Sequence, residues 1–193
     1  MHPLLQKQQA LHTEATQLLE QTLLPLLSKY GTMTVGGSYV YQLLNHPDID
    51  IDVVNDQASK ELFAQLCAEL IALPYTSKFK SGDRVNFPHA HPGTRPTGYW
   101  ISPEITIGSN VWKLDIWLQK SEWHTGDTNR YADELLHLND EARLTVLSLK
   151  DELIGKNLYG VGKEFISVDV YEGVLRGHVR TIEELRSFIE TTR

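Results

Sequence analysis

Three aspartates, Asp48, Asp50 and Asp52, alternate with Ile49, Ile51 and Val53 in the stretch DIDIDVV. Successive side chains of a β-strand point to opposite faces, so the carboxylates share one face and the apolar residues the other. Along that face they recur at intervals of about 7 Å, twice the rise per residue. They repel one another and resist leaving water unless cations neutralise them, and a divalent ion is the natural partner. An EF-hand loop beginning at Asp48 is excluded, because its sixth and twelfth positions are Val53 and Ser59 rather than Gly and Glu. A solvated strand face is the plain alternative. Against it stands the turn Gly36-Gly37-Ser38 a short way upstream, whose backbone N–H groups and hydroxyl suit phosphate oxygens. A short helix expected over SYVYQLL would add its N-terminus. A phosphate site and a metal site then lie side by side.

Other phosphate motifs fit less well. Gly36-Gly37-Ser38 lacks the spacing of a Walker A loop. Gly162-Lys163 is followed by Glu164 where Ser or Thr is required, and Asn157 stands where the leading glycine belongs. No GxGxxG occurs, which removes dinucleotide dehydrogenases along with P-loop kinases. Cys67 is the single cysteine, so there is no internal disulfide or multi-cysteine zinc site, and its setting in LFAQLCAEL marks it as a core residue. His89 and His91 form an HxH pair in a loop without further ligand candidates nearby.

The elements that must position these residues can be read from pattern. Leu4 to Leu27 repeat mainly at threes and fours, as one helix face does over residues 3–29, with Pro25 expected to kink or end it. TMTV at 32–35 reads as a strand, Asp48–Val54 as the next, and ASKELFAQLCAELIAL as a helix capped by Asn55-Asp56 and stopped at Pro74. Residues 75–98 read as a strand and a long loop. TGYWISPEITI and NVWKLDIWLQK read as two strands joined near Gly108-Ser109-Asn110. Helices are expected over Asp127–Leu138, over Asp140–Lys156 with Asn139 or Asp140 as cap, over Glu164–Leu175 and over Thr181–Ile189, where Thr181 and Glu184 fit a capping box. The expected fold is α/β in the α+β sense: a small mixed, twisted sheet flanked by helices, with a helical C-terminal third. Residues 1–120 are expected to form the core with its N-terminal helix, and residues 121–193 a helical region packed on it.

The 193 residues carry a net charge of -7, with 41% hydrophobic and 22% charged residues, ordinary for a soluble globular protein. The acidic balance argues against a long nucleic-acid partner, though not against one nucleotide held through metal ions. No run reaches the roughly 18 apolar residues of a membrane span and no signal peptide is evident, so no membrane partner and a cytoplasmic location are expected.

The stretch VGGSYVYQLLNHPDIDIDVV resembles the signature of the DNA polymerase beta-like nucleotidyltransferase superfamily: an apolar strand, Gly-[Gly/Ser], roughly ten residues, then Asp-apolar-[Asp/Glu]-apolar. The resemblance covers about residues 32 to 118 and extends loosely to the small antibiotic nucleotidyltransferases. It implies a third carboxylate on a later neighbouring strand, and Asp115, inside the apolar strand VWKLDIWL, is the candidate. The fold it implies is the nucleotidyltransferase sheet. The activity is transfer of a nucleoside monophosphate from NTP to an acceptor hydroxyl, with release of pyrophosphate.

By that resemblance Asp48, Asp50 and Asp115 are catalytic and hold two Mg²⁺ ions, or Mn²⁺, about 3.5–4 Å apart. The metal pair on the strand is Asp48 with Asp50 or Asp50 with Asp52; the first is favoured, leaving Asp52 as an accessory carboxylate. Gly36, Gly37 and Ser38 bind the β- and γ-phosphates, and Asp115 accepts the acceptor's proton. Lys113 shares a strand face with Asp115 and either touches phosphate or pairs with an aspartate. Lys78, Lys80 and Arg84 belong to a solvated strand or reach the triphosphate; Tyr99, Trp100, Trp112 and Trp117 are core or stack on a ligand. The acceptor is expected to be a small molecule such as an aminoglycoside, for which Glu104, Glu122, Asp127 and Glu134 are available, or a protein hydroxyl, with nucleic acid disfavoured. Two other readings are an inactive regulatory or binding module of the same fold, such as a toxin–antitoxin component, and a structural metal-binding domain. Oligomeric state is left open.

Overall fold

The computed structural model of the chain describes residues 2–87, 96–123 and 130–192. The chain forms two compact units, one from His12–Val40 and His46–Thr128, the other from Met1–Leu11, Tyr41–Asn45 and Asn129–Arg193.

The first unit is built on a five-stranded mixed sheet. Its strands are β1 (Thr32–Gly36), β2 (Asp48–Val54), β3 (Thr76–Asp83), β4 (Tyr99–Ile107) and β5 (Asn110–Gln119), in the order β1-β2-β5-β4-β3. Only β2 and β5 run parallel; β1 against β2, β4 against β5 and β3 against β4 are antiparallel. The alternation read in the sequence is realised: Ile49, Ile51 and Val53 lie beside Leu114, Ile116 and Leu118, and all six are buried. Apolar partners in one register hold β2 and β5 together, because a slip of one residue would turn the whole set to the wrong face. Gly108 at φ 55 makes the tight turn from β4 to β5, where Ile107 pairs with Asn110.

Helix α1 (Pro3–Leu18) does not end at Pro25. It runs through a π-helical turn, Leu19–Leu23, into α2 (Leu24–Leu27), with the Leu24 N–H donating to the Leu19 carbonyl. Proline lacks the N–H that would continue the ladder, and the wider turn before it takes up the mismatch. Helix α4, Lys60–Ile71, is shorter than expected and is capped by Ser59, whose Oγ accepts from the Leu62 N–H at 3.3 Å. The expected caps are engaged elsewhere: Asn55 Nδ2 donates to the Tyr30 carbonyl, and Asp56 Oδ1 accepts from the Ser121 N–H at 3.1 Å.

The second unit contains α5 (Ala132–Leu136), α6 (Asp140–Gly155), α7 (Ser167–Gly177) and α8 (Ile182–Thr192). Asn139 caps α6, and Thr181 and Glu184 make the expected reciprocal pair before α8. α7 begins later than Glu164 because Phe165 is buried and exchanges backbone hydrogen bonds with Leu158 and Gly160. The helix expected over SYVYQLL is a single turn, α3 (Gly37–Val40). Gln42 turns to φ 55, and Tyr41 and Leu43 enter the apolar core of the second unit beside Leu135, Leu147 and Tyr171. No helix among the described residues is long and apolar enough to cross a membrane.

Candidate functional site

The strand register decides which side chains meet. Gly36 pairs with Asp50, and Asp50 pairs with Asp115, so these three stand in one row across β1, β2 and β5. Neighbouring strands lie about 4.8 Å apart, within reach of a short carboxylate. In the rows on either side, Asp48 lies beside Lys113, and Asp52 beside Thr34 and Trp117. Ile49 and Ile51 anchor the opposite face of β2 in the core, which fixes the aspartates on the open face while leaving Asp50 exposed.

Lys113 lies within the acidic cluster. Its Nζ is 2.5 Å from Asp115 Oδ2 and 3.5 Å from Asp48 Oδ1. The other Asp115 oxygen, Oδ1, accepts from the Trp100 indole N–H at 3.1 Å. His46 Nε2 stands 3.6 Å from Asp48 Oδ2. Burial alone would raise the Asp48 carboxyl, but the His46 hydrogen bond and the Lys113 charge outweigh it and hold it below the usual carboxylate range. Burial would likewise lower the Lys113 ammonium, and the charges of Asp48, Asp115 and Asp50 raise it instead. The site is thus a carboxylate surface already neutralised in part by one resident cation.

The glycine turn is folded against that surface. Gly37 has φ +63, a conformation that favours glycine, and a β-carbon there would press on the Asp50 carboxylate, which would have to shift. A β-carbon on Gly36 would meet nothing within 4 Å. Ser38 follows within the single turn α3. The segment that follows the turn is therefore one helical turn rather than the end of a long helix.

The donor set is hard oxygen throughout, which suits Mg²⁺ or Mn²⁺. The Lys113 ammonium already lies between Asp48 and Asp115. Among the described residues, however, no three His, Cys, Asp or Glu side chains converge into a ready-made cage.

The other candidates separate cleanly. Tyr99 is core, stacked on Phe63 with ring centroids 5.0 Å apart, and Trp112 is fully buried with its indole N–H donating to Glu14 at 2.8 Å. Trp100 and Trp117 are half-buried register partners in the β4–β5 pairing, on the carboxylate face. Lys78 pairs with Glu104 at 3.0 Å, while Lys80 is exposed. Glu122 is exposed, and Glu134 belongs to the second unit, where it binds Arg176. His89, His91 and Asp127 lie outside the described residues. Cys67 is only partly buried, and burial pushes its thiol up to about 11. The sequence reading missed Trp100 as a partner of Asp115; both are strand residues, but their pairing depends on the β4–β5 register.

No protein-family model matches the chain, and no curated protein matches it significantly. Solved structures do. A cytoplasmic RNA terminal U-transferase superposes with a TM-score of 0.54 at 21% identity over 85% of this chain and 47% of its own. The Cid1 poly(U) polymerase, in a structure bound to MgATP, gives 0.51 at 21% over 77% of this chain and 44% of its own. The non-canonical poly(A) polymerase complex GLD-2–GLD-3 gives 0.52 at 13% over 93% and 61%. The chain therefore spans between 44% and 61% of the length of these proteins. It has the nucleotidyltransferase fold that the glycine-turn and aspartate signature implies.

Proposed function

We propose that the chain is a metal-dependent nucleotidyltransferase that moves a nucleoside monophosphate from NTP to a hydroxyl of a small molecule or protein, releasing pyrophosphate. The observation that carries this reading is the row Gly36–Asp50–Asp115, with the left-handed Gly37 folded onto the middle carboxylate. Phosphate-binding backbone and metal-binding oxygens thereby meet on one strand face.

Asp48, Asp50 and Asp115 are the residues that would hold the metal, with Asp52 as accessory carboxylate. The shared contact of Asp48 and Asp115 with one ammonium favours Asp48 over Asp52 as the partner of Asp50. Two Mg²⁺ or Mn²⁺ ions, when bound, supply charge neutralisation and activation of the acceptor oxygen. Gly36, Gly37 and Ser38 hold the β- and γ-phosphates, and Lys113 adds a positive charge beside them. The acceptor oxygen attacks the α-phosphorus, the bond to the pyrophosphate oxygen breaks, and Asp115 takes the hydroxyl proton. Positioning and electrostatics carry most of the rate.

The engagement of Asp115 by both Lys113 and Trp100 also favours a second reading, a binding module of the same fold without turnover. Titration calorimetry with each nucleoside triphosphate, with and without Mg²⁺, tests the binding common to both. Pyrophosphate release with small hydroxyl acceptors, proteins and a short oligonucleotide separates them. Release abolished by Asp50→Asn supports the enzyme; metal-dependent binding without release for any acceptor supports the module. Transfer to the oligonucleotide alone would overturn the acceptor class.

A further inference from the structure

Lys113 belongs to the same face as the carboxylates, yet its ammonium repels a metal ion. Its cross-strand neighbour on β4 is Glu104, which Lys78 engages at 3.0 Å. The Lys113 ammonium instead lies against Asp115 at 2.5 Å and Asp48 at 3.5 Å, two carboxylates with side chains only 25% and 27% exposed. Both are positions at which a divalent ion would have to bind.

We propose that Lys113 is a tethered counter-ion that must leave Asp48 and Asp115 before a divalent ion can enter, so that metal is taken up with the triphosphate rather than ahead of it. This rests on the reading of Asp48, Asp50 and Asp115 as metal ligands. A tethered charge competes at an effective concentration of millimolar or more, whereas Mg²⁺ must shed water reluctantly to replace it. Once displaced, an ammonium on a flexible four-carbon stem needs another anion. The triphosphate brings one to the glycine turn beside Asp50. Nucleotide therefore relieves the competition, and by linkage metal and nucleotide raise each other's affinity by the same factor.

Lys113 is then a positioning residue whose signature is metal affinity without nucleotide, a quantity separate from turnover. Mn²⁺ binding is measured by calorimetry on the intact chain, alone and with a non-hydrolysable triphosphate analogue. Lys113→Met is expected to bind Mn²⁺ alone at least tenfold more tightly than the wild type and to lose most of the enhancement by the analogue. Lys113→Arg, which keeps the charge, is expected to stay weak. Should Lys113→Met fold poorly by circular dichroism, Lys113→Gln carries the same expectation. Equal or weaker Mn²⁺ affinity in the neutral variants, with wild-type binding that Asp50→Asn abolishes, overturns the counter-ion and leaves the metal site standing. Absence of Mn²⁺ binding in every variant, even with analogue, overturns both.

Discussion

Gly37 packs against Asp50: a β-carbon there, on a backbone at φ +63, would meet Asp50 Oδ2 and force that carboxylate to shift. Gly37→Ala is expected to lose about 1–2 kcal/mol from left-handed strain alone and to abolish triphosphate binding by pushing the carboxylate aside. Gly36→Ala has open space around it and should change stability by no more than about 1 kcal/mol. Urea unfolding and calorimetry of both variants check the contrast. Equal losses would mean that the turn tolerates no side chain anywhere and that Asp50 is not the reason.

The three strand aspartates are expected to differ in weight. Asp50, in one row with Gly36 and Asp115, and Asp48, which shares Lys113 with Asp115, should each lose about 10²–10³-fold or more in pyrophosphate release on change to Asn. Asp52, beside Trp117, should lose less than about tenfold, as befits a carboxylate acting at one remove. A severe loss at Asp52 with Asp48→Asn near normal would reassign the pair to Asp50 and Asp52.

Asp48 and Lys113 bracket a window of pH. Against the effect of burial, His46 and Lys113 depress the Asp48 carboxyl, so its contribution to stability is present above the unfolded value of about 3.9 and is lost as pH falls through the lower folded value. Lys113 is raised against burial by Asp48, Asp115 and Asp50, so its contribution is present below about 10.4 and is lost as pH rises through the higher folded value. In metal-free buffer, the stability gap between wild type and Asp48→Asn should shrink in acid, as pH falls through the depressed Asp48 value. The gap to Lys113→Met should shrink in alkali. Urea midpoints across pH read both, and a gap that narrows on the opposite side would disprove the pairing.

The candidate strand face was legible where chemistry coincides with period. Alternation placed Asp48, Asp50 and Asp52 on one face and Ile49 and Ile51 in the core, whereas Asp115 was picked out by the third carboxylate that the family resemblance implies. The mixed sheet and the C-terminal helices followed from the same patterns. Contacts set by register between distant strands were not legible, which is why the Trp100 bond to Asp115 and the choice of Lys113 partner needed the structure. Local propensity also misled at SYVYQLL: the helix stops after one turn because Tyr41 and Leu43 gain more by burial among α6 and α7 than by continuing it.

That exit from the helix rests on Lys150, a fully buried lysine of α6 whose ammonium donates to the Leu43 carbonyl at 2.8 Å. The same ammonium lies 5.7 Å and 5.9 Å from the centres of the Tyr159 and Tyr171 rings, so an aromatic box helps compensate its loss of water. Arg143 binds the Tyr41 and Gln42 carbonyls, and Asn45 Nδ2 donates to the Leu147 carbonyl, which ties the rest of the segment to the helices. Lys150→Ala removes the donor and leaves a cavity, and is expected to cost about 2–5 kcal/mol. Lys150→Met fills the space without the donor and should cost less, about 1–3 kcal/mol, the penalty of one unsatisfied buried carbonyl. Urea unfolding monitored by circular dichroism ranks the two. A Met variant as damaging as the Ala variant would mean that the charge, with its ring contacts, holds the segment in place more than packing does.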